Sequence, residues 1–98
     1  PALEKILYLQ AEVLAGKNNP KSYLGLETTV NQAMELFPKS VYKDRLKYLK
    51  AIALNNNKNK KDGIKLLKEL VDGSDVQNYI KELARSELAT IKIEERSI

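Results

Sequence analysis

The sequence predicts an all-α domain of about five helices, laid side by side as stacked antiparallel pairs. Three observations lead there. Lys5-Ile6-Leu7-Tyr8-Leu9-Gln10-Ala11-Glu12-Val13-Leu14 is echoed forty residues later by Arg45-Leu46-Lys47-Tyr48-Leu49-Lys50-Ala51-Ile52-Ala53-Leu54. Self-similarity at such a period marks arrays in which each unit buries its apolar face against its neighbours. Apolar residues recur at three- and four-residue spacing in five segments, and no segment alternates with period two. Each segment is bounded by residues that stop or start helices: Gly16, Pro20, Pro38, the Asn55–Asn59 run and Gly73.

The first helix is expected over about 2–15, with Leu3, Ile6, Leu7, Val13 and Leu14 at helical spacing and Gly16 as its stop. Asn19 suits an N-cap and Pro20 the first position of a second helix, which runs through Tyr23, Leu26, Val30, Ala33 and Met34 to Phe37. Gly25 lies inside it at a cost of roughly 1 kcal/mol relative to Ala. Pro38 ends it, because a residue before proline is pushed out of the helical region.

Ser40 is expected to cap a third helix over about 41–56. Its apolar arc, from Tyr42, Leu46, Leu49 and Ala53 round to Tyr48, Ala51 and Ile52, is wide enough to need neighbours on two sides. A tight polar turn leads to a fourth helix over about 60–71, with Ile64, Leu67, Leu70 and Val71 inward. Ser74 and Gln77 have the spacing of a capping box and are expected to open a terminal helix over about 75–95. The helix pairs thus span about 2–37 and 41–71, one domain over residues 1–98. Pro1, followed at once by helix formers, suggests a piece of a longer chain.

The chain contains neither cysteine nor histidine. The first absence removes disulfides and thiolate metal sites; the second removes the commonest general base and metal ligand at neutral pH. Asp72-Gly73-Ser74-Asp75 lacks the spacing and distal glutamate of a calcium loop. The expectation is therefore no enzyme, no metal and no cofactor. No apolar run approaches the roughly 18 residues of a membrane span, so no membrane insertion is expected. A cysteine-free soluble chain suits cytoplasm and periplasm equally.

The formal charge of +4 is unevenly spread. Residues 39–68 hold ten cations against Asp44 and Asp62, a net +8, between ends of −1 and −3. Lys43, Lys47 and Lys50 share one face of the third helix; Lys61, Lys65 and Lys68 share one face of the fourth; Lys58 and Lys60 crowd the turn between. A solvated face is the plain account of this patch. An acidic protein partner, or nucleic acid contacted through phosphates, is the functional alternative, though no aromatic platform accompanies the lysines.

With Ala51, Gly63, Leu67 and Leu70 in one unit and Ala11, Val30, Ala33 and Pro38 in the one before, the chain resembles the tetratricopeptide repeat family. Glu35-Leu36-Phe37-Pro38-Lys39-Ser40-Val41-Tyr42 looks like a junction between repeats in bacterial members. The chain departs from that pattern in a period longer than the family's roughly 34 residues, in having no tryptophan, and in Asp75 where proline would close the second unit. The resemblance implies a right-handed α-solenoid acting as a scaffold or adaptor, which holds an extended or helical protein segment on a concave face. The residues it implies for partner binding are Lys5, Tyr8, Glu12 and Ala15 in the first helix, and Arg45, Tyr48, Ile52 and Asn55 in the third. The plainer reading of Tyr8 and Tyr48 is packing between neighbouring helices. Self-association through an exposed terminal face is a further alternative.

Overall fold

The computed structural model describes residues 2–96, and Pro1 lies outside them. These residues form five helices: α1 (Ala2–Lys17), α2 (Pro20–Leu36), α3 (Lys43–Asn56), α4 (Lys60–Asp72) and α5 (Asn78–Arg96). Among the described residues there is no strand.

The entry to α2 follows its sequence signature. Asn19 Oδ1 accepts from the Ser22 backbone N–H at 2.8 Å, and Ser22 Oγ accepts from the Asn19 N–H at 3.1 Å, with Pro20 opening the helix. Gly16, expected to stop α1, is instead helical; Asn18 takes the left-handed turn at φ 54°. Asparagine tolerates that region because its short amide bonds locally, here accepting from the Tyr23 hydroxyl.

Two other expected caps act differently. Ser40 Oγ accepts from the Tyr42 N–H, and the Ser40 carbonyl from the Lys43 N–H, so Ser40 shapes a turn and α3 begins later, at Lys43. The Ser74–Gln77 box does not form. Residues 74–76 make a turn, and α5 starts at Asn78, with the Gln77 carbonyl accepting from the Ile80 and Lys81 N–H groups. At the far end of α3, the Asn59 N–H reaches back to the Leu54 carbonyl across Lys58, which sits at φ 73°. That is the Schellman arrangement, with lysine where glycine is usual.

The helices make two layers. Consecutive helices pack against each other, and α3 also touches α1 and α5, so α3 has all four others as neighbours. The broad apolar arc of α3 is thereby used on both sides. Among the described residues the backbones of α2 and α4 stay apart, flanking a cleft of about 410 Å³ lined by Glu27, Lys50 and Lys65. One layer, α1–α3–α5, is closed; the other, α2 and α4, is splayed. The Cα envelope of 45 × 33 × 18 Å fits a slab two helices thick.

Two apolar cores result. Leu7, Ala11, Leu26, Val30, Leu46 and Leu49 belong to the first; Ala51, Leu67, Leu70, Ile80, Ala84 and Ile91 form the second. Tyr48 packs against both. The forty-residue echo has a structural counterpart at one end only. Leu46, Leu49 and Ala53 are buried in the core that α2 helps to build, whereas their forerunners Ile6, Leu9 and Val13 are 57%, 48% and 60% exposed on the outer side of α1.

Candidate interaction face

The closed layer brings four of the expected residues into one connected row. Tyr8 and Glu12 are one turn apart on α1, so their side chains meet, and the Tyr8 hydroxyl donates to Glu12 Oε2 at 2.6 Å. Arg45 enters from α3 and donates to the same carboxylate twice, Nε to Oε2 at 2.9 Å and a terminal nitrogen to Oε1 at 3.0 Å. A planar fork on a planar carboxylate fixes the relative position of two helices more tightly than a lysine would. Arg45 Cζ lies 5.5 Å from the centre of the Tyr48 ring, within cation–π range.

Tyr8 is also stacked on Tyr42, with ring centres 4.1 Å apart and planes 5° from parallel. Tyr42 immediately precedes α3, so this contact also bridges the first and third helices. Tyr8 and Tyr48 are thus inter-helix packing residues, each half-buried, with an edge left on the face. The sequence did not single out Tyr42 for this role. Its position precedes the repeated stretch and has only Ala2 as its counterpart forty residues earlier.

The protonation equilibria follow from these contacts. Donation to the Glu12 carboxylate, then burial, pushes the Tyr8 hydroxyl up to about 12. Arg45 holds the Glu12 carboxyl below its ordinary range, and Glu12 in turn holds the guanidinium above its own. Burial, helped by Glu87, raises Tyr48. Burial, helped by Glu94, raises the Glu87 carboxyl on α5. Tyr79, exposed at the start of α5, lies within electrostatic reach of Tyr8 and Arg45. The face therefore extends onto α5 through Tyr79 and Glu87, both missed from sequence. Ala84, fully buried like Ala11 and Ala51, is the signal that could have set the register of α5.

The other expected residues are placed as follows. Lys5 is exposed on α1, and Ala15 and Ile52 are half-buried against the first core. Asn55 does not offer its amide to the face. Both its Oδ1 and Nδ2 are buried without a hydrogen-bond partner, against Gly63 where α3 and α4 cross. A β-carbon at Gly63 would fall 2.1 Å from Asn55 Oδ1 and 2.9 Å from the Ala51 carbonyl oxygen. The small residue at 63 draws α4 close and encloses the amide.

The basic patch is interleaved with acids. Lys43 and Lys47 line a cleft of about 290 Å³ with Asp44, Glu69 and Asp75. Lys61, Lys65 and Lys68 share the outer side of α4 with Asp62, Glu69 and Asp72. Lys58 is exposed at the turn, while Lys50 and Lys60 are half-buried. Among the described residues, no group of three or more carboxylates is placed to hold a metal ion, and no helix is long and apolar enough to cross a membrane. The arrangement offers aromatic edges, fixed charge and shape. No family model, curated protein or solved structure matches this chain.

Proposed function

We propose that this chain is a non-enzymatic protein-interaction domain, a degenerate right-handed stack of tetratricopeptide-like helix pairs. It serves as a scaffold or adaptor that holds an extended or helical segment of a partner protein across α1, α3 and α5. The observation that supports the reading is the asymmetry of the layers: α3 touches both α1 and α5 while α2 and α4 stay apart, as expected if the first set lines the inner side of a bend. That side carries aromatic edges whose rotamers are already fixed by packing and charge, so a ligand freezes little on binding. Arg45 is committed to Glu12, so the free recognition groups are Lys5, Tyr79 and the open edges of Tyr8 and Tyr48.

Affinity capture after nuclease treatment tests this, with the native domain beside a Lys5→Glu/Tyr79→Ser variant. Both side chains are exposed, so helicity should be unchanged. The native domain should retain a protein partner that the variant loses. A partner kept by both, or lost to nuclease, would contradict the reading.

A further inference from the structure

We propose that the groove between α4 and α5 is a second docking surface, which takes an amphipathic helix flanked by acidic residues. The groove is distinct from the α1–α3–α5 face and encloses about 470 Å³. Its floor is apolar: Ile64 and Val71 stand two turns apart on α4, and Leu88 and Ile91 one turn apart on α5. Two parallel apolar stripes on neighbouring helices form the kind of trough into which a third helix lays its own apolar stripe.

The rim selects the occupant. Lys68 stands on the α4 wall and Arg85 and Lys92 on the α5 wall, against the single acid Glu95. All four are exposed, and Arg85 is held only by an exposed pair with Glu82 one turn away. Exposed pairs of that kind are worth little and exchange readily for an incoming carboxylate. A helix with acids on both sides of its apolar stripe would meet opposite charge on both walls.

A second copy of this chain is a poor match. Its unpartnered apolar stripe, Leu3, Ile6, Leu9 and Val13 on α1, is edged by Lys5 and Lys17 and would set cation against cation. The face therefore favours a separate, acidic helix.

The test uses the intact domain and three synthetic peptides of about 18 residues, long enough for roughly five helical turns. One carries a leucine stripe with glutamate flanks, one the same stripe with lysine flanks, and one a scrambled glutamate sequence. Fluorescence anisotropy should show binding of the first, with the other two weaker by about tenfold or more. Lys92→Glu and Lys68→Glu, both on exposed side chains, should weaken the glutamate peptide by a similar factor, as should Leu88→Asp. The Lys5→Glu/Tyr79→Ser variant should bind it as the native domain does, which separates this groove from the inner face. Equal binding of glutamate and lysine peptides, no binding, or indifference to both charge reversals would overturn the proposal. So would vesicles of phosphatidylcholine and phosphatidylserine binding in place of the peptide. A dimer that Leu88→Asp dissociates would overturn it in favour of a second copy.

Discussion

Glu12 and Arg45, thirty-three residues apart, are joined by two hydrogen bonds that tie the first helix to the third. The Arg45 side chain is 25% exposed and that of Glu12 27%. The pair lies between a surface bridge, which is worth little, and a buried one, which desolvation penalises. A double-mutant cycle of Glu12→Gln and Arg45→Met should give a coupling of about 1 kcal/mol in chemical denaturation. No coupling would mean that apolar packing alone joins α1 to α3.

The same contact predicts a dependence on pH. Because Glu12 ionises below its ordinary range in the fold, the unfolded chain takes up that proton first as pH falls. The bridge's contribution is complete above the ordinary glutamate range and disappears as pH drops through the depressed value. Tyr8 works at the other end. Its folded value of about 12 exceeds the ordinary 10.0, so its contribution is full below 10 and is lost between about 10 and 12. Denaturation midpoints across pH should show Glu12→Gln flattening the acid limb and Tyr8→Phe the alkaline limb.

Two helical glycines should respond oppositely to alanine. At Gly25 a β-carbon would meet Leu14 methyl groups at 3.6 Å, ordinary contact, so Gly25→Ala should stabilise by about 1 kcal/mol through helix propensity. At Gly63 it would collide with Asn55 and with the Ala51 carbonyl, and Gly63→Ala should destabilise by about 1–3 kcal/mol. Asn55→Ala should soften that penalty by removing the side-chain collision, and should cost little itself because it removes an amide buried without partners. Thermal unfolding of the four variants measures all of these, and an undiminished Gly63→Ala penalty in the Asn55→Ala background would show that the backbone clash dominates.

These glycines also mark how far the sequence could be read. The registers of Ala11 and Ala51 assigned Glu12 and Arg45 to one face as partner-binding groups; that the two would bond each other was not legible, because periodicity does not say which side chains meet across a helix crossing. Asn19 and Pro20 announced their cap, since both act on backbone within a few residues. Asn55 was misjudged because helical periodicity gives a direction and says nothing of how near a neighbour comes. The closeness is decided by Gly63, eight positions away on another helix. Ser74 and Gln77 failed as a cap for a related reason: where α5 starts is settled by the fit of Ile80 and Ala84 into the second core, which local spacing does not encode.

Lys58 occupies a left-handed position at φ 73°, where an L side chain is strained by roughly 1–2 kcal/mol. Lys58→Gly should therefore raise stability by about 0.5–1 kcal/mol, less than the strain because glycine also loosens the unfolded chain. Lys58→Ala, which removes the charge and keeps the β-carbon, should not. A gain with alanine equal to that with glycine would assign the effect to relief of charge crowding among Lys58, Lys60 and Lys61.

The most direct measurement is amide hydrogen exchange on the domain alone and saturated with the partner segment recovered by capture. Binding across the α1–α3–α5 face should slow exchange along α1, α3 and the start of α5, around Tyr8, Tyr48 and Tyr79, and leave α2 unchanged. Protection concentrated on α2 and the outer side of α4, with none near Tyr8 or Tyr48, would contradict the account.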